Sequence, residues 1–469
     1  MNQKTIEMFF KRCFYSEDPA LFYDSEEISY SSLFTKSLAL ANGFKENGLK
    51  IGDKITVQMD NTPEFIYCYF AALFGGFTII PLDTSLGKKD YNYIINLTAP
   101  KLIIKNSKYL NYVNNQNFFF NTEIDNIYAI FFTSGSTGRP KGVCHSISSL
   151  LGNAMAFNKF VGFDKYIRMM HVMPMGYMAG YLNTLLCPIA AGGSVFIGKK
   201  FKFSNVFGFW ESAIFNNVNT IWLSPTMVSI LSQLTRDVNE INWVRKNIRY
   251  IFVGTAPLSE NIKRQFVEKF GLECLESYGM TEALIITTNR FNNNIKPMSV
   301  GKPLTGIKIK LEKINDFSSV GNRIIIKSKY MFIKYFIENQ TRSINNGWFP
   351  SGDIGFIDNE DNLYITGREK DLIIHGGMNV SPITVQDCLL ELDDVDEAVV
   401  IGRPHNFWGE EIVVFVKMLH GKEMDEKKLE NHCKEHLTVD AIPSQFIEIN
   451  EIPRSATGKT QKHKLLSKL

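Results

Sequence analysis

The 469-residue sequence has few cysteines, and their arrangement argues against two common uses of this residue. Its seven cysteines occur singly, without a CxxC pair, and an odd number cannot all pair within one chain. This pattern argues against a disulfide framework or a structural zinc site and favours reduced thiols. We therefore expect a cytoplasmic protein.

Long apolar runs and a strong excess of charge are also missing. No uninterrupted apolar run approaches the roughly 18 residues that a membrane-spanning helix needs. The first residues, Met1-Asn-Gln-Lys-Thr5, lack the basic-then-apolar pattern of a signal peptide. The formal net charge of +3 gives no reason to expect binding to nucleic acid or to a membrane surface. We expect neither a membrane span nor a nucleic-acid partner.

The patterns that are present predict an α/β protein of more than one domain. A chain of 469 residues is too long for one compact core. Helical spacing over Ser31–Asn47 is followed by strand-like alternation over Lys54–Met59. A second helix begins at Pro63, and a further strand covers Thr78–Pro81. This alternation of helix and strand is typical of α/β layering.

A loop rich in hydroxyl groups and glycine interrupts this rhythm and ends in Pro140-Lys141-Gly142. An apolar run over Tyr128–Phe132 precedes it, and apolar residues recur at helical spacing from Ile147 onward, so we predict a strand, a loop and a helix. Glycines let backbone amides approach a phosphate, to which hydroxyl groups and a lysine donate further hydrogen bonds. The loop is not a Walker A motif, because Pro140 occupies the place of the glycine before the lysine.

Two later segments carry aromatic and acidic side chains, although each segment alone could be an ordinary turn. After a strand over Tyr250–Val253 and a Gly-Thr-Ala-Pro turn, Tyr278 offers an aromatic face on which a base can stack, and Glu282 offers a hard oxygen suited to a cation such as magnesium. Asp353 ends a turn-rich stretch that begins at Asn346. Its carboxylate can accept hydrogen bonds from both hydroxyl groups of a ribose.

The units become shorter beyond Asp371. We predict a small helix over Ile383–Leu392, strands over Glu397–Ile401 and Glu411–Val416, and a charged helix over Asp425–Leu437. The final motif, Pro453–Thr460, imitates a P-loop, but Pro453 replaces its first glycine and only nine residues follow. A phosphate site of the Walker type is therefore excluded there.

In this order, the motifs resemble those of the adenylate-forming superfamily, which includes acyl- and aryl-CoA synthetases, luciferases and the adenylation domains of peptide synthetases. The resemblance extends from about Tyr30 to the C-terminus. It implies a large layered N-terminal domain of mixed sheets and helices, residues 1–367, and a small α+β C-terminal lid domain, residues 368–469. The lid would turn about a hinge near Lys370. ATP, Mg²⁺ and coenzyme A, or a carrier-protein phosphopantetheine, would be the cofactors.

The resemblance also assigns roles to individual residues. The catalytic residues would be Lys459, Thr133, Glu282 and Lys370. Thr133 and Glu282 would hold the metal. The acid would contact Tyr177, Ala179, Gly180 and Gly254. Residues implied to bind the nucleotide are Thr133, Ser134, Gly135, Ser136, Thr137, Gly138, Lys141, Gly254, Thr255, Ala256, Pro257, Glu276, Ser277, Tyr278, Gly279, Met280, Thr281, Asp353, Arg368 and Lys459.

We predict an enzyme that activates a small carboxylic acid as an acyl-adenylate and passes the acyl group to a thiol. The segment Pro174–Gly180 contains no acid that could pair with a substrate ammonium, which favours an acid with an uncharged tail. We predict coenzyme A as the acceptor, and therefore an acyl- or aryl-CoA synthetase, with loading of a carrier-protein phosphopantetheine thiol as the alternative. A non-catalytic nucleotide-binding scaffold is the alternative of another class, although a scaffold would need neither Lys141 nor Lys459.

Overall fold

The computed structural model describes residues 2–114, 118–133, 139–291, 295–314, 321–337, 347–454, 460–467 and 469. The α-helices of this part of the chain are α1 Gln3–Phe14, α2 Tyr30–Glu46, α3 Pro63–Gly75, α4 Lys88–Thr98, α5 Ile147–Val161, α6 Met178–Tyr181, α7 Cys187–Ala190, α8 Phe209–Phe215, α9 Pro225–Leu234, α10 Val238–Asn247, α11 Glu260–Phe270, α12 Pro382–Leu390, α13 Glu426–His436 and α14 Lys462–Leu466. Within these described ranges, no helix is long and apolar enough to cross a membrane.

The strands are β1 Pro19–Tyr23, β2 Glu26–Ser29, β3 Lys54–Val57, β4 Thr78–Pro81, β5 Leu102–Ile104, β6 Ala129–Thr133, β7 Lys141–His145, β8 Arg168–His171, β9 Ser194–Ile197, β10 Thr220–Leu223, β11 Tyr250–Val253, β12 Cys274–Met280, β13 Leu284–Thr288, β14 Lys302–Pro303, β15 Ile307–Glu312, β16 Asn322–Ser328, β17 Lys334–Phe336, β18 Phe349–Ile357, β19 Leu363–Arg368, β20 Ile373–His375, β21 Met378–Val380, β22 Val395–His405, β23 Gly409–Met418 and β24 Gln445–Glu448.

Two large sheets form the N-terminal domain. The first has the strand order β14-β13-β12-β11-β10-β8-β9-β1-β2, and its inner strands run parallel. The second has the order β17-β7-β6-β4-β3-β5. Helix α3 is apolar on all sides and almost wholly buried in the core that both sheets share, as expected for a helix without a solvent face. Helices α8, α9 and α11 cover the other face of the first sheet.

Two smaller sheets complete the molecule. Strands β15, β16, β18 and β19 form an antiparallel sheet that carries Asp353 and Arg368 on its last two strands. The C-terminal sheet consists of β21, β20, β23, β22 and β24, with α12 and α13 packed on one face. The predicted fold class, a large layered α/β domain with a small C-terminal α+β domain, is confirmed. The exact boundary near Arg368 stays a prediction.

Most predicted elements are confirmed within one to three residues, but two segments fold differently. Strand β7 lies between the phosphate loop and α5, so the predicted direct passage from loop to helix is wrong. Val143 pairs with Phe131 of β6. The strand has only three apolar or small residues, which are too few to show a strand by periodicity. The stretch before Asp353 is also not a turn throughout, because β18 begins at Phe349.

Helix α1 attaches the N-terminus to the core through aromatic side chains. Phe10 is fully buried, and its ring meets Phe34 and Phe74 edge to face at centroid distances of 5.9 and 6.0 Å. Edge-to-face pairs of this kind add stability beyond the burial of their area. Met8, on the same helix, keeps 60% of its surface exposed.

We expect Phe10→Ala to lower the free energy of unfolding by about 3–5 kcal/mol, because it removes a buried ring and leaves a cavity. Urea unfolding followed by the fluorescence of the buried Trp210 and Trp222 measures this loss. Met8→Ala is the matched control and should change stability by less than about 0.5 kcal/mol. Equal losses in the two variants would show that α1 does not contribute to the core in this way.

Candidate active site

The hairpin of β12 and β13 lies at the centre of the candidate site. Strand β12 continues the parallel strands β10 and β11, and β13 returns antiparallel to it with a register shift between Tyr278 and Gly279. Ligands of α/β sheets commonly bind beyond the carboxyl ends of parallel strands, which is where this hairpin projects. Ser277, Gly279 and Met280 belong to β12, and Thr281 and Glu282 form the turn that follows.

A buried carboxylate lies beside this hairpin. The side chain of Asp353 is only 4% exposed. The hydroxyl of Tyr278 donates to its Oδ2 at 2.6 Å, and Nε of Arg368 lies 2.9 Å from its Oδ1. Asp353 and Arg368 face each other across β18 and β19. A carboxylate has about four acceptor positions, so two remain for the hydroxyl groups of a ribose.

The Tyr278 hydroxyl is held in its protonated form. Burial and the adjacent Asp353 carboxylate raise the pKa of this hydroxyl well above its usual value. The phenol therefore remains a hydrogen-bond donor at physiological pH. This bond fixes the ring at the edge of the hairpin, where one face can stack against a base.

The ends of the phosphate loop lie near Glu282. Thr133 and Lys141 pair with each other across β6 and β7. Nζ of Lys141 lies 6.0 Å from the centre of the Tyr335 ring, and the Tyr335 hydroxyl donates to Oε1 of Glu282 at 2.8 Å. The structure thus groups a hydroxyl-bearing strand end, a lysine and a carboxylate, a set that suits phosphate and a hard cation.

His145 fixes the turn that presents Glu282. Its side chain is fully buried, and Nε2 is 2.7 Å from the carbonyl oxygen of Thr281. Because that oxygen only accepts, Nε2 must carry the proton. Burial lowers the pKa of His145 to about 4, so the ring is neutral at pH 7. No periodic pattern in the sequence indicates this role.

The loop after β11 carries backbone strain. Thr255 has a φ of +74°, a left-handed conformation that β-branched residues rarely adopt. Such strain is concentrated at functional sites. Gly254, Ala256 and Pro257 lie in the same loop. A Cβ on Gly254 would lie 3.1 Å from the carbonyl oxygen of Ser277, so a side chain here would crowd the hairpin.

Glu276, predicted to bind the nucleotide, uses its carboxylate elsewhere. Nζ of Lys263 on α11 lies 3.0 Å from its Oε1, and both side chains are 8% exposed. Removing one member of such a buried ion pair would leave the other charge uncompensated. The Glu276 side chain therefore connects α11 to β12, and its role in nucleotide binding stays a prediction.

The segment predicted to contact the acid packs closely on its neighbours. Tyr177 precedes α6, and burial together with nearby Asp83 raises the pKa of its hydroxyl to about 12. A Cβ on Gly180 would lie 2.2 Å from the carbonyl oxygen of Pro174, so only glycine fits there. Ala179 lies between these residues on α6, which continues into a π-helical turn over Leu182–Leu186, a feature frequent at functional sites.

Asn61, which lies just before α3, binds this segment through its side-chain amide. Its Nδ2 donates to the carbonyl oxygen of Met173 at 2.9 Å, and its Oδ1 accepts from the backbone N–H of Met175 at 3.1 Å. The hydroxyl of Tyr69 donates to the carbonyl oxygen of Met175 at 2.6 Å. These three bonds connect α3 and its N-terminal turn to the candidate acid site.

Trp222 is a candidate site residue that the motifs do not reveal. It is 1% exposed, and its Nε1 lies 3.4 Å from the position of a Cβ on Gly254. Within the described residues, this buried indole N–H has no hydrogen-bond partner. A buried donor without a partner is unfavourable unless a ligand supplies the acceptor. The motifs also do not reveal Tyr335 and His145, because each acts through a contact with a residue that is distant in the sequence.

Some predicted site residues cannot be placed. Lys459 and the loop residues Ser134, Gly135, Ser136, Thr137 and Gly138 lie outside the described residues. Around Lys459, Arg454 and Thr460 form an isolated bridge, and the backbone N–H of Gln461 donates to the carbonyl oxygen of Pro453 at 2.8 Å. Lys370 lies in the 3₁₀ turn Glu369–Asp371, which connects β19 to β20.

These features together are typical of an adenylate-forming enzyme. The buried carboxylate suits a ribose, the aromatic face beside it suits a base, and the lysine and carboxylate near the loop suit phosphate and a cation. The family model described as AMP-binding enzyme matches residues 11–118 and 113–336. The model described as AMP-binding enzyme C-terminal domain matches residues 384–459. The chain belongs to the AMP-binding enzyme family, and it is an AMP-forming ligase.

Curated relatives match over most of this chain. The 2-succinylbenzoate–CoA ligase of Bacillus subtilis (strain 168) is 27% identical over an alignment of 475 positions, gaps included. The alignment covers 95% of this chain and 94% of that protein. The sulfoacetate–CoA ligase of Cupriavidus necator is 30% identical over 349 residues, which cover 72% of this chain and 66% of that protein.

Solved structures share the fold. ATP-bound MatB from Rhodopseudomonas palustris has a TM-score of 0.89 at 24% identity, with 98% of each chain covered. The o-succinylbenzoate coenzyme A synthetase of Bacillus subtilis, in complex with ATP and a magnesium ion, has a TM-score of 0.84 at 25% identity. The match covers 98% of this chain and 99% of that chain.

The buried neutral His145 predicts a specific dependence of stability on pH. Its pKa is about 4 in the folded protein and about 6.5 in the unfolded chain, so below pH 6.5 only the unfolded chain binds the proton. Its contribution to stability is thus complete above pH 6.5 and is lost as pH falls toward 4. We expect His145→Gln to lack this contribution. As the pH falls below 6.5, the wild type should lose stability relative to the variant, so the difference in their unfolding free energies should narrow by up to about 1.4 kcal/mol per pH unit.

Urea unfolding at pH 7, 6 and 5 measures this difference. His420→Gln is the control, because His420 is exposed in the turn after β23. Its difference from wild type should stay constant over the same range. A constant difference for His145→Gln as well would contradict a neutral buried imidazole.

Proposed function

We propose that this protein is an AMP-forming acyl- or aryl-CoA synthetase for small to medium carboxylic acids. The observation that supports this most strongly is the buried Asp353 carboxylate, held by Tyr278 and Arg368 beside the hairpin that presents Glu282. ATP would bind with its ribose on Asp353 and its adenine between Tyr278 and the strained loop at Thr255. The seven buried free thiols are consistent with the cytoplasm as its location.

The proposed reaction has two steps. A carboxylate oxygen of the acid attacks the α-phosphorus of ATP, the bond to the β-phosphate oxygen breaks, and pyrophosphate leaves. The thiol of coenzyme A then attacks the acyl carbon, and AMP leaves with the electron pair of the broken carbon–oxygen bond. In the first step two anions meet, so the site must offset their repulsion by preorganised charge.

Particular residues would provide that charge. The loop from Thr133 to Lys141 would bind the β- and γ-phosphates through backbone amides, hydroxyl groups and the lysine. Glu282 and Thr133 would hold magnesium, and the donor set fits, since Glu282 uses only Oε1 for Tyr335 and both ligands offer hard oxygen atoms. A bound magnesium ion would neutralise phosphate charge. Lys459 would bridge the carboxylate and the α-phosphate.

The second step would use a different orientation of the C-terminal domain. We propose the boundary at residues 367–368, with Lys370 in the short turn Glu369–Asp371 as the hinge. Gly376 and Gly377 form the turn of the β20–β21 hairpin with φ values of +59° and +85°. After rotation of the C-terminal domain, this glycine hairpin would lie on the face that the domain presents to the active site, where the thiol of coenzyme A would bind.

The acid remains the least determined part of the proposal. The segment Pro174–Gly180 has no carboxylate for a substrate ammonium, which argues against amino acids. The names of two relatives given above, 2-succinylbenzoate–CoA ligase and sulfoacetate–CoA ligase, make an acid with a second polar group a second candidate. The N–H of Trp222, which has no partner among the described residues, supports that candidate, because it could donate to an acceptor on the acyl chain.

ATP–pyrophosphate exchange with a panel of acids tests the first step. We expect exchange with at least one of benzoate, hexanoate and 2-succinylbenzoate in the presence of magnesium, and none with phenylalanine. If an acid with a carbonyl acceptor is used, Trp222→Phe should reduce its exchange about 2- to 10-fold through loss of one hydrogen bond. Benzoate, which lacks such an acceptor, is the matched substrate control.

Two results would count against this proposal. A folded protein without exchange for any acid would favour the nucleotide-binding scaffold, and exchange confined to amino acids would remove the argument from the missing pocket carboxylate.

With an active acid, thioester formation should occur with coenzyme A. Efficient loading of a carrier protein without coenzyme A thioester would replace the proposed acceptor.

The two lid lysines should affect different steps. We expect Lys459→Ala to slow adenylate formation on the order of a hundred- to a thousandfold, because one preorganised charge is lost. It should still transfer a supplied acyl-adenylate to the thiol. Lys370→Pro should do the reverse, because proline fixes φ and removes the N–H at the hinge.

Single-turnover measurement of each half-reaction distinguishes these outcomes. Lys464→Ala is the control, since it removes an exposed charge close to Lys459 in the sequence. It should retain both half-reactions. Equal loss of both half-reactions in Lys459→Ala and Lys370→Pro, with folding intact, would contradict a lid with two working orientations.

A further inference from the structure

Three potential metal ligands meet on the C-terminal domain, between α13 and the end of α12. His432 and His436 lie one turn apart on α13, and Glu391 directly follows α12. One ligand atom from each side chain lies within 4.8 Å of the others. Among the described residues, this is the group of histidine, cysteine and acidic side chains close enough to share an ion.

The two imidazole rings lie side by side. Their centroids are 4.4 Å apart with an angle of 43° between the rings. Tetrahedral zinc with bonds of about 2.0–2.1 Å separates its ligand atoms by roughly 3.3 Å. The three ligand atoms lie within 4.8 Å of one another, so an ion would draw them closer, and the side chains of His436 and Glu391 are exposed and have room to rotate.

The backbone around this group is fixed by packing. His432 is 16% exposed, and its Nε2 donates to the carbonyl oxygen of Cys388 on α12 at 2.9 Å. Nδ1 is therefore the nitrogen of His432 that is left to bind an ion, and the bond from Nε2 to a backbone carbonyl is the usual support of a metal-binding histidine. Next to it, Cys433 and Cys388 are buried in the core that joins α12 and α13 to the sheet. The two helices therefore present the three side chains from a rigid base, which is what a metal site requires.

We propose that Glu391, His432 and His436 form a binding site for a divalent transition metal, with zinc as the ion that the two imidazoles and one carboxylate suit best. Two histidines separated by three residues on a helix and one carboxylate are a known zinc ligand set, and water would complete the coordination. The ion would connect the end of α12 to α13 and stabilise the C-terminal domain. It is separate from the magnesium proposed at Glu282.

The alternative is a hydrogen-bond role without a metal. His432 then serves only to donate to the Cys388 carbonyl near the C-terminal end of α12, and His436 and Glu391 are ordinary surface residues. The two accounts differ in what His436 and Glu391 do. Neither side chain is needed to bind the carbonyl, but both are needed to bind an ion.

Titration of the full chain with ZnCl₂ by calorimetry, and with CoCl₂ by visible absorption, tests the proposal. We expect one ion per chain, a cobalt spectrum of low coordination number and a higher melting temperature with zinc. His436→Ala and Glu391→Gln should each weaken zinc binding at least about tenfold. Glu435→Gln is the matched control, because it makes the same chemical change at an exposed residue of the same helix.

The outcomes are separable. Retained one-to-one binding in Glu435→Gln with weakened binding in the other two variants supports the site. Absence of binding to wild type, or equal affinity in Glu391→Gln, His436→Ala and wild type, overturns it. Melting curves of the metal-free variants, which change exposed residues, show whether a loss of binding reflects a loss of fold.

Discussion

A carboxylate that is almost fully removed from water must be surrounded by donors, and this requirement organises the candidate site. Asp353 is 4% exposed and accepts from Tyr278 while contacting Arg368. An uncompensated charge at this position would be strongly unfavourable. The bond to Tyr278 therefore joins the antiparallel sheet of β15, β16, β18 and β19 to the hairpin at the end of the large sheet. The same bonds leave acceptor positions for a ligand, so stability and binding depend on one group.

The hairpin of β12 and β13 receives three further contacts from distant parts of the sequence. His145 binds the carbonyl oxygen of Thr281, Tyr335 binds Glu282, and Lys263 pairs with Glu276. The first two contacts hold the turn after β12, and the third holds β12 itself. Together they hold the aromatic and acidic groups in position before a nucleotide arrives, and preorganisation of this kind is the main source of electrostatic catalysis.

The sequence predicted the local elements well because their apolar spacing is strong. Helix α3, with its proline at the first turn and its glycine end, and strand β11 were found at their observed bounds. The sequence also predicted that the protein is an adenylate-forming enzyme, because its motifs follow one another in the order found in that superfamily. Strand β7 was missed because it is short, and β18 was missed because Pro350 and Gly352 are turn residues in most settings. Trp222 and His145 could not be found, since burial and hydrogen bonding across the fold determine their roles.

The central claim is that Asp353 and Tyr278 form the nucleoside site of an adenylate-forming enzyme. A crystal structure of the protein with a hydrolysis-resistant acyl-adenylate analogue tests it most directly. The account predicts both ribose hydroxyl groups within about 3.2 Å of the Asp353 carboxylate. It also predicts the adenine stacked on the Tyr278 ring. An analogue bound with its ribose away from Asp353 would contradict the account.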